Sequence, residues 1–257
     1  MIRLTFIALA VVAVLCGHKA VSASITGTAE TVDCLAAMNE ARTAAGLAEF
    51  KVATEQDQVL PKHAAGKTTI TAADLWTEIC KKIAGTDTEG TEAKKLKGTF
   101  AYYPGENDCT AAVQYWKDGF SLFENKLPPT YTVSDTPAVY TDKAVSFVAL
   151  YNPKTNPVAS CAFVTCTTAN EIAAAELSKR HSGPTLRRLA DGEKPSTAVI
   201  CLTNPKALND EEPPFKEEEW QKIVQAIVGT DEANGFSPVR PSLAVGFIMM
   251  LFASSLF

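Results

Sequence analysis

The sequence predicts an α+β fold, a three-layer α-β-α sandwich in which helices cover both faces of a central antiparallel sheet. Three observations lead to this prediction. Four segments show the three- and four-residue spacing of apolar residues that is typical of helices with one buried face. Runs rich in β-branched residues lie between the third and fourth of these segments. Six of the seven cysteines lie beyond the N-terminal apolar stretch, an even number that indicates disulfides.

Both ends of the chain carry targeting signals. Residues 1–23 combine a positive charge at Arg3, an apolar stretch over 4–16 and small residues before Ser24, the order of a secretory signal peptide. At the other end, the uncharged residues 243–257 follow a polar spacer and a run of small residues. That order is typical of a glycosylphosphatidylinositol (GPI) attachment signal. The sequence therefore predicts a single secreted ectodomain over 24–233, with 234–257 removed.

The lipid attachment residue is expected at Gly229, Ala233 or Asn234, which lie in the run of small residues. As a helix, the fifteen residues 243–257 would span about 22 Å, less than the hydrocarbon core of about 30 Å. A buried or tail-anchoring helix is the alternative interpretation. The expected location is the outer leaflet of the plasma membrane, with the membrane contacted through lipid only.

The first two helices are predicted near the start of the ectodomain. The first covers about 32–45 and is expected to stop at Gly46. The second begins at Thr71, whose hydroxyl is expected to cap it, and stops before Gly85. Glycine after the last periodic residue favours a helix end at both places.

The other two helices are predicted on either side of the β-rich part of the chain. The third is predicted over 109–123 and is expected to end at the proline pair 128–129. The fourth follows the proline pair 213–214, carries three glutamates at 217–219 in its first turn, and ends near Val228. Acidic residues in the first turn interact favourably with the helix dipole.

Three strands are predicted between these helices. The runs 144–151 and 158–166 are rich in β-branched and apolar residues, and the turn-forming residues 152–157 join them. This pattern indicates an antiparallel hairpin. A third strand is predicted over 197–203. Because the first run is apolar at most positions, both faces of the sheet are expected to be covered.

The cysteines of the ectodomain are expected to form three disulfides, with 15 ways to pair them. Cys161 and Cys166 are five residues apart, so in one strand their side chains leave opposite faces. This disfavours a bond between them and predicts that each bonds to a helix on its own side. Zinc binding is the alternative, but no C-x-x-C pair occurs and only His63 and His181 remain as imidazoles. The six cysteines are Cys34, Cys80, Cys109, Cys161, Cys166 and Cys201.

The polar segment 178–196 contains two dibasic pairs, one of them Arg187-Arg188. Exposed basic pairs in glycine- and proline-containing loops are sites of proteolytic processing, although a simple solvated loop is an equal alternative. Cleavage there would leave Cys201 as the only cysteine of the smaller product. A disulfide from Cys201 would then be the only covalent link between the two products.

Charge and motifs narrow the classes of function. Removal of Arg3, Lys19 and Arg240 with the two signals lowers the net charge from −5 to −8, which disfavours nucleic acid as a partner. The sequence lacks G-x-S-x-G, H-E-x-x-H, P-loop and G-x-G-x-x-G motifs. Cysteines expected to be paired supply no thiol nucleophile. We therefore expect no enzyme activity, no catalytic residues, no metal and no cofactor.

Short motifs resemble the CAP superfamily, which includes cysteine-rich secretory proteins, antigen 5 and plant pathogenesis-related proteins. Residues 38–47 resemble the opening helix of that family, 112–116 its Trp-bearing helix, and 145–150 with 160–162 its central hairpin. The resemblance implies a CAP-like α-β-α sandwich held by disulfides. The segment 140–143 lacks the histidine that the family places before this hairpin, so its metal cleft is expected to be absent.

With its signal peptide, six ectodomain cysteines, dibasic loop and GPI signal, the whole chain is similar to the coccidian, Eimeria-type GPI-anchored surface antigens. This resemblance implies an immunogenic coat protein of an apicomplexan parasite that acts in host-cell attachment. The implied partners are an unidentified host-cell receptor or glycan and host antibodies. The basic and aromatic segment 94–104 is a candidate exposed contact loop. The alternative function is a CAP-type carrier of a lipid or sterol.

Overall fold

The structure, a computed structural model, describes residues 23–61, 70–86, 90–134, 136–170 and 195–232. These residues form one mixed sheet in which the order of the long strands is β1-β4-β5-β3 and all three pairings are antiparallel. The short β2 pairs in parallel with the first residues of β4. The strands are β1 (Ala23–Val32), β2 (Lys51–Val52), β3 (Thr99–Pro104), β4 (Val158–Asn170) and β5 (Ser196–Asn204).

Helices pack against both faces of this sheet. On one face, α2 places Leu75 and Trp76 against Val164, Ile200 and Leu202 of the central strands. The other helices build a larger aromatic core on the opposite face. The α+β class with a central antiparallel sheet is therefore confirmed. The helices are α1 (Leu35–Ala44), α2 (Ala72–Ile83), α3 (Cys109–Lys117), α4 (Asp142–Tyr151) and α5 (Glu217–Glu232), with short 3₁₀ turns at Ala93–Lys95 and Asp118–Phe123.

The first two predicted helices are present and stop where glycine predicts. Gly46 and Gly85 adopt φ values of 66° and 71°, the left-handed conformation that glycine adopts without steric cost. In each case the N–H group that follows the glycine donates to a carbonyl five residues earlier, the pattern of a Schellman motif. The predicted hydroxyl cap of α2 is wrong, because the Thr71 side chain makes no capping hydrogen bond.

The third predicted helix is an α-helix followed by a 3₁₀ turn. The Asp108 carboxylate caps α3 by accepting from the N–H groups of Thr110 and Ala111. The turn ends at Phe123, before the predicted proline stop, because Glu124 and Asn125 adopt φ values of 52° and 60°. The fourth predicted helix, α5, continues beyond Val228 to Glu232.

The predicted hairpin is wrong, because residues 142–151 form α4 instead of a strand. The Thr141 hydroxyl accepts from the Ala144 N–H at 3.4 Å and caps the helix. Consecutive residues from Phe147 to Tyr151 are all buried, since α4 is enclosed on several sides. A helix that is buried on all sides shows no amphipathic period, so its sequence pattern cannot be distinguished from that of a buried strand. Because residues 145–150 are helical, they do not match the central hairpin of the CAP superfamily, which was one basis of the resemblance. A CAP-like sandwich stays a prediction.

Three of the described strands, β1, the two-residue β2 and β3, were not predicted. β1 contains few large apolar residues because α2 lies directly on it: a Cβ at Gly27 would come within 2.3 Å of the Trp76 carbonyl oxygen. β3 lies in the segment predicted to be a contact loop. Its free edge is covered, since the Tyr102 N–H donates to Ser146 Oγ at 2.9 Å and the Tyr102 carbonyl accepts from Trp116 Nε1 at 2.9 Å.

The six ectodomain cysteines form three disulfides, as predicted: Cys34–Cys109, Cys80–Cys166 and Cys161–Cys201. Cys161 and Cys166 lie on opposite faces of β4 and are not bonded to each other. Cys166 bonds to α2, on its own face, as expected. The expectation of a helical partner for Cys161 is wrong, because Cys161 lies directly opposite Cys201 in the register between β4 and β5.

Candidate functional site

Several predicted site residues fall outside the described part of the chain. These are the processing pair Arg187-Arg188, the attachment candidates Ala233 and Asn234, and the two ectodomain histidines, His63 and His181. The third attachment candidate, Gly229, is exposed in the last turn of α5. The attachment candidates therefore lie in or directly after the C-terminal end of α5.

The predicted contact loop is part of the folded core. Two of its lysines, Lys94 and Lys95, lie in the 3₁₀ turn Ala93–Lys95, and its tyrosines lie in β3. Lys97 Nζ lies 2.6 Å from Asp57 Oδ2, and burial is the main cause that raises the pKa of Tyr102. The Tyr103 ring contacts the Tyr115 ring at a centroid distance of 5.5 Å. The segment therefore combines a turn that carries exposed lysines with a strand packed into the fold, and it is not one exposed loop.

A buried arginine organises the turn that follows α1. Arg42 is 0% exposed, and its Nε donates to the Ala48 carbonyl at 2.6 Å while its Nη1 donates to the Leu150 carbonyl at 2.7 Å. The guanidinium stacks on the Phe50 ring at 4.1 Å from the centroid. Burial lowers the pKa of Arg42 to about 10, against an opposing effect of the Tyr151 phenol. Arg42 thus joins α1 to the end of α4.

Sequence reasoning did not identify Arg42 as a structural residue. The signal was present, since Arg42 follows the buried Met38 by four residues and therefore lies on the apolar stripe of α1. Asn39 helps to hold the same turn. Its Oδ1 accepts from the Phe50 N–H at 2.7 Å, and its Nδ2 donates to the Phe50 carbonyl at 3.0 Å. Together these two side chains fix residues 48–50 against α1.

A second polar anchor is the Glu78 carboxylate of α2. It accepts from the backbone N–H groups of Thr91, Glu92 and Ala93 and from the Thr91 hydroxyl, at distances between 2.9 and 3.2 Å. Partial burial alone would raise the pKa of Glu78, but these hydrogen bonds outweigh it and hold the pKa below the usual 4.5. Glu78 therefore anchors the 3₁₀ turn that precedes β3.

The substitution Glu78→Gln is expected to lower the free energy of unfolding by about 1–3 kcal/mol at neutral pH, since an amide oxygen is a weaker acceptor. The pKa of Glu78 is lower in the folded state than in the unfolded state. The stabilisation by the ionised Glu78 is therefore present above about pH 4.5 and is lost as the pH falls through the folded-state pKa. Urea unfolding between pH 7 and pH 3 measures both effects. Glu40→Gln on the exposed face of α1 is the control. Equal acid sensitivity in both variants would contradict the role of Glu78.

An open groove of about 920 Å³ lies between residues 53–61 and the ends of β1 and β4. Its wall includes Val52, Val59, Leu60 and Ile70, and its polar groups include Ser160. Ser160 Oγ accepts from the Leu60 N–H at 3.0 Å, so it already has a partner. Val52 is 66% exposed at the mouth. The groove offers mainly apolar contact with few directed hydrogen bonds.

The described residues contain one compact group of metal-ligand type, the sulfur atoms of Cys34, Cys161 and Cys201. All three sulfurs belong to disulfides, so as long as these bonds are intact they carry no thiolate to bind a metal or to act as a nucleophile. Within the same described ranges, each helix is too short or too polar to cross a membrane.

Comparison with known proteins gives two matches. Residues 30–240 match the model of the sporozoite surface antigen (SAG) protein domain. Over 268 aligned residues, which cover 100% of both proteins, the chain is 44% identical to the sporulated oocyst TA4 antigen of Eimeria tenella. No solved structure matches the chain.

Proposed function

We propose a role at the cell surface from one premise, that this chain belongs to the sporozoite surface antigen (SAG) family. We propose that it is a GPI-anchored antigen on the outer leaflet of the parasite plasma membrane, where it is non-catalytic. It acts there in host-cell attachment and invasion or in interaction with the immune system. The observation that carries this proposal is that the family match over 30–240 begins after the predicted signal peptide, covers the predicted ectodomain from residue 30 onward, and ends within the predicted attachment signal.

The extent of the fold is consistent with this arrangement. The sheet and the core are built from elements that run from β1, at the start of the predicted ectodomain, to α5, near its end. Attachment at Gly229 would remove the last three residues of α5, whereas attachment at Ala233 or Asn234 would keep the whole helix. We propose Ala233 or Asn234 as the lipid attachment residue, because either choice leaves α5 intact.

Release from intact cells tests the anchor. Phosphatidylinositol-specific phospholipase C is expected to move the protein from the cell pellet to the supernatant. A variant that ends after residue 242 is expected to be secreted without phospholipase, because the anchor signal is missing. Protein that stays in the pellet after phospholipase treatment, while a known GPI-anchored protein is released, would contradict the proposal.

Attachment requires a binding partner, which we propose is a host-cell receptor or glycan. Soluble ectodomain, residues 24–232, is expected to bind host cells saturably and to compete with unlabelled ectodomain. The same ectodomain with its disulfides reduced and alkylated is the control for nonspecific adhesion. Absence of saturable binding would leave recognition by host antibodies as the remaining surface role.

The groove beside Val52 favours a second candidate, a surface carrier of a lipid or sterol. Native mass spectrometry of the ectodomain would then show a stoichiometric lipid. Val52→Glu is expected to displace it, because a charge would enter the mouth of the groove. Val133→Glu is the matched control, since Val133 is 61% exposed and lies outside the groove. Purified ectodomain without lipid after exposure to sterol and phospholipid would contradict carriage.

A further inference from the structure

Two disulfides come together between the sheet and the helices α1 and α3. The Sγ atoms of Cys34, Cys161 and Cys201 all lie within 4.8 Å of one another. Cys34 is bonded to Cys109, and Cys161 is bonded to Cys201. The four sulfurs of these two bonds are called the sulfur cluster below. The third disulfide, Cys80–Cys166, lies on the opposite face of the sheet.

The sulfur cluster has one accessible end. Cys34, Cys161 and Cys201 are buried, at 1%, 4% and 0% exposure, whereas Cys109 is partly exposed at the start of α3. An external thiol therefore reaches Cys109 first. Attack on the Cys109 sulfur expels Cys34 as the leaving group, deep in the cluster.

The leaving sulfur lies at a helix N-terminus, since Cys34 is the N-cap residue of α1. The positive end of the helix dipole stabilises a thiolate there and makes Cys34 a better leaving group. The carboxylate of Asp33 faces the same helix end, where its Oδ1 accepts from the Leu35 N–H at 3.0 Å, and it opposes part of this effect. The closeness of the Cys34, Cys161 and Cys201 sulfurs does not depend on whether the helix dipole or the Asp33 carboxylate has the larger effect on the Cys34 thiolate.

We infer that the sulfur cluster is a thiol–disulfide exchange site, in which Cys34 is the internal nucleophile and the Cys161–Cys201 bond is its target. In the first step, the thiolate of an external thiol bonds to Cys109, the Cys34–Cys109 bond breaks, and its electron pair leaves on Cys34. In the second step, Cys34 bonds to Cys161 or Cys201, and the other strand cysteine leaves as a thiolate that takes a proton from water. The number of disulfides is conserved, and the external thiol is retained on Cys109.

The exchange changes which parts of the chain are joined covalently. The Cys161–Cys201 bond links β4 to β5 across residues 171–195, which connect the two strands in sequence. A product with Cys34–Cys201 keeps β5 tied to the larger part of the chain through α1. A product with Cys34–Cys161 leaves Cys201 free and breaks that covalent link. Exchange with an external thiol thus changes how the C-terminal part of the domain is held.

A matched pair of variants tests the inference. Cys109→Ser and Cys34→Ser remove the same disulfide, but only Cys109→Ser leaves a thiol inside the group of three close sulfurs. After acid quench and alkylation, disulfide mapping of Cys109→Ser is expected to show Cys34 bonded to Cys161 or Cys201, at least tenfold above any corresponding Cys109 product in Cys34→Ser. Retention of Cys161–Cys201 in both variants would overturn the inference.

A second measurement on the unaltered protein avoids effects of substitution on folding. The ectodomain is incubated with reduced glutathione at pH 7.5 and mapped over time. Glutathione is expected on Cys109, together with a new Cys34 disulfide, while Cys80–Cys166 stays intact. Opening of Cys34–Cys109 with Cys161–Cys201 unchanged throughout would contradict exchange through the cluster.

Discussion

Replacement of Arg42 by alanine is expected to lower the free energy of unfolding by about 3–5 kcal/mol. The carbonyl groups of Ala48 and Leu150, of which the second is buried, would lose charge-assisted hydrogen bonds of 2.6 and 2.7 Å. The fully buried side chain would also leave a cavity against the Phe50 ring. The connection between α1 and the end of α4 would weaken as a result. Chemical unfolding followed by circular dichroism measures the change.

Two further variants separate the causes of this loss. Arg42→Met fills most of the volume without donating hydrogen bonds, so its loss of stability reports the hydrogen bonds net of the buried charge and is expected to be smaller than that of Arg42→Ala. It also removes the cost of an unpaired buried charge. Lys222→Ala on the exposed face of α5 is the control and is expected to change stability by less than about 0.5 kcal/mol. An Arg42→Met variant as stable as the parent would show that these hydrogen bonds add no net stability.

Cleavage of the chain between β4 and β5 is expected to leave the two products fully associated, even after reduction under native conditions. β5 is a central strand whose residues pair with β4 on one side and β3 on the other. The same product contributes α5, whose Trp220 packs on Phe123, Phe147 and Phe215 in the larger core. Separation would expose this buried apolar surface to water, which is strongly unfavourable.

A sequence-specific protease site that replaces residues 185–190 allows this test without dependence on natural processing. Size-exclusion chromatography of the cut protein is expected to give one peak of unchanged volume with and without reductant. Denaturing gels are expected to show one band without reductant and two bands with it, because Cys161–Cys201 joins the products. A Cys161→Ser, Cys201→Ser double variant gives two bands in both gels and serves as control. Dissociation of the reduced, cut protein on the column would contradict the prediction.

Sequence reasoning misassigned α4 and missed β1 because both segments pack against distant parts of the chain. A hydrophobic period reports burial on one side of an element, and α4 is buried on several sides. β1 was not recognised because it lacks a strong apolar pattern: close contact with α2 requires a glycine at position 27, where a strand would usually carry a larger side chain. In both segments the environment that shaped the sequence lies in distant parts of the chain. Local pattern therefore misassigned α4 and left β1 unrecognised.

The sequence by itself determined the α+β class, the helices α1, α2, α3 and α5, the strands β4 and β5, and the even set of six cysteines. It also placed Cys161 and Cys166 on opposite faces of one strand, because side-chain direction in a strand alternates with a period of two. Only the tertiary structure decided the partner of Cys161, the helical state of α4, the burial of Arg42 and the closeness of three sulfurs. These features depend on register and packing between segments far apart in the chain, and no local pattern of residues encodes them.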